Sequence, residues 1–291
     1  MRLAGRVGCK LVVWKCDENG CMNIDELEKL VNHNTRIVAF PHCSNLAGSI
    51  LDVKRANNTV HQLSNNNAIT VIDSVAYAPH RMIDVEVWNA DFYCFSLYKT
   101  YSSHMAALYG KNELLNKLMN CKYAPINHFF IPNSAPYKLE LGCLSHEGCA
   151  AIIGTKQYFN IVAGRSGDTP MTRDTIVKVF DIFTELEQPI TSMLINYLLS
   201  KSSVRLIGSK KTDSFSRCPT ISFVSSKHTP NEIVAKLHSA GVMCRTGHCY
   251  AVRLVDAIGI GREQGVVRIS AVHYNTLKEV QHIIAVLDTI L

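Results

Sequence analysis

The sequence predicts an α/β protein, with a mostly parallel sheet sandwiched by helices and a C-terminal α+β domain behind it. Three observations carry this reading. Short β-rich runs alternate with helical patterns through the first 110 residues, the layout of strand–helix–strand units that build parallel sheets. Long helical periodicity then fills about 145–163 and 172–200. Beyond residue 200 the texture changes to short strands separated by amphipathic helices, the mark of a separate α+β unit.

Apolar, β-rich runs place strands at 10–16, 36–41, 69–73, 91–96 and 105–110. Helical spacing falls between them at 24–31 and 53–63. Each helix follows a residue, Asn23 or Asp52, whose side-chain oxygen can accept a free N–H of the first turn. A less regular stretch with Pro125, Pro132 and Pro136 comes next, since proline has no N–H for a helix or a sheet. Further on, strands are expected at 204–207, 220–224, 242–245 and 267–271, with helices at 230–240, 252–257 and 277–291. Asn275 stands where it could open the last helix. The chain divides into a large domain, 1–170, and a linking helix with a C-terminal small domain, 171–291. Its 291 residues suit two units on a prior of roughly 100–200 residues per domain.

Hydrophobic residues at 47% and charged residues at 19% exclude a disordered chain. Thirty Lys and Arg against 24 Asp and Glu leave a net charge of +6, scattered without a stripe. A nucleic-acid partner is therefore not expected, while an anionic substrate or a phosphate group suits the sign. Nor is a membrane partner expected, because no stretch approaches the roughly 20 apolar residues of a span. The start, Met1-Arg-Leu-Ala-Gly-Arg6, is too poor in apolar residues for a signal peptide. Eleven cysteines, odd in number and without a CxxC pair, read as reduced thiols of a cytoplasmic protein with no metal site.

Several motifs fail on their chemistry. Asp17 to Glu28 begins and ends like a calcium loop, but Cys21 and Met22 replace the oxygen ligand and glycine it needs. Gly259-Ile-Gly261-Arg-Glu-Gln-Gly265 has the wrong spacing for a dinucleotide loop and precedes a strand instead of following one. Cys244, His248 and Cys249 read better as a core cysteine and a ligand-facing histidine than as a soft-metal site.

The remaining chemistry gathers at strand ends. Asp73 closes the run Val71-Ile-Asp73, and Lys99 follows Asp91-Phe-Tyr-Cys-Phe-Ser-Leu-Tyr. A parallel sheet presents such residues to a ligand crevice. An acid and a lysine are the two groups that pyridoxal phosphate chemistry needs, the amine for a Schiff base and the carboxylate to keep the pyridine nitrogen protonated. In isolation the same two residues could be a solvated loop lysine and a helix cap.

Their surroundings narrow the choice. Asp73-Ser-Val-Ala-Tyr-Ala-Pro-His80, Phe95-Ser96-Leu-Tyr98-Lys99 and Tyr101-Ser-Ser-His104 occur together with Arg245-Thr-Gly247-His248-Cys-Tyr250 and Val267-Arg268-Ile-Ser270-Ala-Val-His273-Tyr-Asn275-Thr276. In combination they resemble the class V aminotransferase group, in particular its cysteine desulfurase-like members, over nearly the whole chain. The resemblance implies the fold-type I architecture of pyridoxal 5'-phosphate enzymes, a homodimer in the complete protein, and a small amino acid as substrate. Lys99 would form the Schiff base and shuttle the substrate α-proton. Asp73 would pair with the pyridine nitrogen, Ser96 and Tyr98 would bond the phosphate, and Asn45 would approach the ring hydroxyl. Arg268 would grip the substrate α-carboxylate, with Arg245 and His248 lining the pocket. Structural roles stand beside these, an interface ion pair for Arg268 and packing for His80 and His104.

The match departs from the family in places. Cys249 comes one residue early for a desulfurase nucleophile, and Tyr250 occupies that place. Ala76 stands where glutamine is usual, Gly142-Cys143 where Gly-Thr is usual, and Ser102-Ser103 where Gly-Pro is usual. Family members also carry further residues ahead of the position matching Met1, so that a strand at 10–16 would lack its neighbour. The alternative is therefore a catalytically inactive, truncated paralogue that acts by association with a full-length relative.

Overall fold

The computed structural model describes residues 2–120 and 142–291, together with 130, 132, 134, 137, 139 and 140 between them; Pro125, Pro136 and Cys121 lie outside these. In chain order α1 (Arg2–Arg6), α2 (Ile24–Glu28), β1 (Ile37–Pro41), α3 (Val53–Leu63), β2 (Ile69–Asp73) and β3 (Phe92–Ser96) lead to a 3-10 turn (Leu97–Lys99) and β4 (Ala106–Gly110). The sheet order is β1-β2-β3-β4, with the first three parallel and β4 antiparallel to β3. Pro41 lies opposite Asp73 and Asp73 opposite Cys94, so three carboxyl ends sit side by side.

Burial explains that register. Phe40, Ile72 and Tyr93 turn inward from consecutive strands and meet Val53, Ala56 and Val60 of α3, together with Ile24 and Leu27 of α2. Each fully buried large side chain contributes roughly 1.5–3 kcal/mol, and a one-residue slip would turn the set outward. Asn23 and Asp52 cap α2 and α3 as expected, accepting from Asp25 N and Arg55 N.

Helices α4 (Asn112–Met119), α5 (His146–Val162) and α6 (Arg173–Leu199) lead to the second sheet. There β5 (Val204–Ile207), β6 (Thr220–Ser225), α7 (Pro230–Ser239), β7 (Arg245–Gly247), α8 (Val252–Ala257), β8 (Val266–Ser270) and α9 (Leu277–Asp288) form an antiparallel sheet of order β5-β6-β8-β7. Its core joins Leu194 and Leu198 of α6 to Phe223, Ile233, Val267 and Leu287. Capping boxes start both later helices, Thr229 with Glu232 and Thr276 with Glu279.

A backbone seam joins the two sheets. The loop after β1 meets the entry to β6, where buried Arg217 donates to the carbonyls of Ser209, Ala47 and Thr220. Ser222 Oγ donates to Leu46 O at 2.6 Å, and Cys218 N donates to Gly48 O at 2.9 Å. Gly48 has φ +70°, and a Cβ there would lie 2.1 Å from Thr220 O, so only glycine fits.

Four expectations need correction. Residues 10–15 belong to no strand, and apart from Trp14 their side chains are exposed, because among the described residues no neighbouring strand takes their backbone groups. The helix expected at 24–31 ends at Glu28. The strand placed at 242–245 lies instead at Arg245–Gly247, since its ladder partner is Val266–Arg268. Finally, Thr276 caps α9, while Asn275 Oδ1 accepts from Val272 N.

Candidate active site

The crevice begins where the parallel strands stop. Asp73, the last residue of β2, is exposed and accepts from Val75 N through Oδ1 at 3.0 Å. On the adjacent strand Ser96 ends β3, and the 3-10 turn carries Lys99 outward. Thr100 N and Ser102 N both donate to Leu97 O, at 2.8 and 3.1 Å, which closes this turn. The Lys99 Nζ lies 5.8 Å from the centroid of the Tyr98 ring, and that ring stacks on His104 at 4.8 Å.

Two hydroxyls beside Lys99 are buried without a hydrogen-bond partner, Ser96 Oγ and Ser102 Oγ. Buried polar groups are ordinarily satisfied, so such orphans mark a place for a polar ligand. Each is a donor of the kind that a cofactor's phosphate group accepts from. The orphaned hydroxyls, the lysine between them and the acid on the neighbouring strand thus suit pyridoxal phosphate.

The small domain reaches the same edge. Asn45 Nδ2 donates to Cys249 O at 2.8 Å, and Arg268 donates to Asn45 O at 2.9 Å. Arg245 lies opposite Arg268 in the β7–β8 ladder. His248 Nδ1 accepts from Tyr250 N at 3.0 Å. Cys249 and Tyr250 hold φ +45° and +66°, a strained pair for residues other than glycine. Among the described residues no carboxylate pairs with Lys99, Arg245 or Arg268. The fold therefore gathers Asn45, Arg245, Arg268 and the loop at 248–250 into one group, and Asp73, Ser96 and Lys99 into another along the sheet edge.

Buried networks support the segments that carry these residues. Behind Asp73, His80 Nδ1 lies 2.8 Å from Glu187 Oε1, and Arg81 donates to Glu187 Oε2 at 2.6 Å. Burial opposes a charge on His80, but Cys218 and the Glu187 carboxylate outweigh it and raise its pKa. His42, just past β1, stacks on Tyr77 at 3.6 Å, and burial lowers its pKa to about 3. Beyond Lys99, Tyr101 contacts His273, whose pKa burial lowers to about 4. Nothing in the local sequence assigns Tyr101 or Ser102 a role or pairs Tyr101 with His273. A hydroxyl-rich run after the lysine was the available signal.

Two cavities of about 500 and 490 Å³ lie elsewhere, the first beside His42 and Trp88 and the second over Ile221 and Ile269. Neither is lined by a nominated residue.

The parallel sheet with its antiparallel fourth strand, followed by the antiparallel C-terminal sheet, is the fold of the cysteine desulfurases. The cysteine desulfurase of Thermococcus onnurineus NA1 superposes with a TM-score of 0.81 at 22% identity, covering 99% of this chain and 68% of that one. The family model for class-V aminotransferases matches residues 1–283, and the chain belongs to that family. Among its curated relatives, the aminotransferase-like protein FGM3 of Gibberella zeae is 38% identical over 277 residues, 94% of this chain and 63% of that protein. The cysteine desulfurase-like protein ustD of Aspergillus flavus is 30% identical over 276 residues, 92% of this chain and 57% of that protein. The chain thus spans about three-fifths of the length of these two relatives.

Proposed function

We propose that this chain carries the catalytic residues of a pyridoxal 5'-phosphate-dependent lyase or transferase of the cysteine desulfurase-like branch, acting on a small amino acid. The carrying observation is the pair of orphaned hydroxyls, Ser96 Oγ and Ser102 Oγ, beside Lys99 and next to the strand that ends in Asp73. When bound, the cofactor supplies an electron sink that acidifies the substrate α-carbon.

The protein groups take the remaining tasks. Lys99 Nζ would hold the cofactor covalently and afterwards move the proton at the substrate α-carbon. Asp73 would keep a proton on the ring nitrogen. Ser96 Oγ and the Tyr98 hydroxyl would donate to the phosphate, and Asn45 would face the ring hydroxyl. Arg268 would bind the substrate α-carboxylate through two parallel N–H bonds, with Arg245 and His248 lining the same pocket.

The domain division at 170/171, a homodimer in the complete protein and a cytoplasmic setting belong to this reading. Ten described cysteines are all free, which suits a reducing compartment. No helix among the described residues is long and apolar enough to cross a membrane.

The test is a spectrum. Added pyridoxal phosphate should give the purified chain a visible absorption band that Lys99→Ala abolishes. A wild-type chain without the band sinks this reading.

A second reading, an inactive paralogue that works by association with a full-length relative, has its own support. Ile37 and Leu108, on the two outer strands of the first sheet, are 59% and 62% exposed. Mixing with an intact homologue should then raise the melting temperature, and no change on mixing would remove this option.

A further inference from the structure

Tyr101 follows Lys99 by two residues and holds φ +66°. The left-handed region costs a residue with a Cβ roughly 1 kcal/mol or more, and glycine would be the cheaper choice in a tight turn. Something must hold a tyrosine there, and the side chain does. Its ring packs edgewise on Phe183 at 5.6 Å and on His273 at 5.0 Å. Its hydroxyl donates to Pro79 O at 2.8 Å and lies 3.2 Å from His273 Nδ1. Its carbonyl accepts from Thr155 Oγ1 at 3.1 Å.

These contacts join three segments. Pro79 belongs to the stretch that begins at Asp73, Tyr101 to the turn that ends at Lys99, and His273 to the exit of the strand that bears Arg268. One hydroxyl therefore touches the acid-bearing, lysine-bearing and arginine-bearing segments at once.

Counting donors fixes the direction of the chain. A carbonyl can only accept, so the single Tyr101 proton goes to Pro79. The contact with His273 then needs an N–H on Nδ1, which leaves Nε2 as an acceptor. The Tyr158 hydroxyl meets Nε2 and supplies that proton. The imidazole lies flat on Phe183, with centroids 3.5 Å apart and planes at 6°, and is 6% exposed, so neither nitrogen can turn to water. Tyr158, His273, Tyr101 and Pro79 form one directed chain that ends beside the lysine turn.

We infer that Tyr101, oriented by a neutral His273 protonated on Nδ1, is a positioning residue for Lys99. It holds the turn that carries Lys99 just past the end of β3. The inference rests on the cofactor reading and deepens it. Tyr101→Phe keeps the ring and removes only the hydroxyl. His273→Asn can present an amide N–H near the place of Nδ1, whereas His273→Leu cannot.

The full chain is treated with pyridoxal 5'-phosphate and then borohydride, and the cofactor mass on Lys99 is measured against that on the exposed Lys117. Loss of one neutral hydrogen bond is worth about five- to tenfold. Labelling of Lys99 relative to Lys117 should fall by about that much in Tyr101→Phe and His273→Leu, and stay within about twofold in His273→Asn. Nitrogen-15 spectra of the wild-type chain, which do not involve the cofactor, should report His273 protonated on Nδ1. Selective labelling in wild type that Tyr101→Phe leaves undiminished overturns this inference alone, as does a His273 protonated on Nε2. Lys99 labelling no greater than Lys117 in every variant overturns the cofactor reading and this inference with it. If Tyr101→Phe fails to fold, the comparison of His273→Asn with His273→Leu decides.

Discussion

Glu187 is fully buried on α6 and holds two partners, His80 at 2.8 Å and Arg81 at 2.6 Å. Such a group repays its desolvation only while it is complete. Glu187→Gln leaves the Arg81 guanidinium charged in the interior and should cost about 3–5 kcal/mol in urea unfolding. The buried histidines set a pH dependence. His42 titrates at about 3 in the folded chain, below its ordinary value near 6.5, so the unfolded chain binds the proton first as pH falls. Stability is therefore level above about pH 6.5 and declines below it, by about 2 kcal/mol at pH 5 for this one group. His273 acts in the same direction, and His80, with its raised value, acts in the opposite one. Urea titrations at pH 7 and pH 5 should give His42→Gln a drop smaller than wild type by about that 2 kcal/mol.

At the scale of elements, the helices obey local rules and the strands obey their neighbours. Thr276→Ala breaks the reciprocal bonds with Glu279 and should lower stability by about 1 kcal/mol in thermal or urea melts. Residues 10–15 show the converse. Val12 and Val13 have strong β preference and still form no strand, since a strand exists only where a second one accepts its bonds. Their exposure predicts that brief trypsin treatment cuts after Lys10 or Lys15 before it cuts within the helices, which mass spectrometry of early fragments would read. The same contrast sets what the sequence could disclose. Asp73 and Lys99 stand just past apolar runs, so local pattern was enough to propose them. Asn45 and Arg268 became legible through resemblance, because their contact spans 223 positions. The bond between Tyr101 and His273 spans 172 positions, and no local pattern marks it.

For the molecule as a whole, the decisive place is the seam between the two sheets. Arg217 is 1% exposed and binds three carbonyls, one of them on the loop after β1; burial lowers its pKa to about 10. Arg217→Met strands those oxygens in the interior, at roughly 1–3 kcal/mol each. Gly48→Ala drives a methyl against Thr220 O and should disturb the same loop, together with the Asn45 that it carries. The seam also has a consequence in time. Ala47 and Arg217 are 170 positions apart, so their bond closes a long loop and yields nothing until both of its ends are already structured. In stopped-flow experiments Arg217→Met should accelerate unfolding and leave the folding rate nearly unchanged, the signature of a contact made after the rate-limiting barrier. Asn45 and Arg268 meet beside that seam, so in the Arg217→Met variant the crevice should open with the seam, ahead of either sheet.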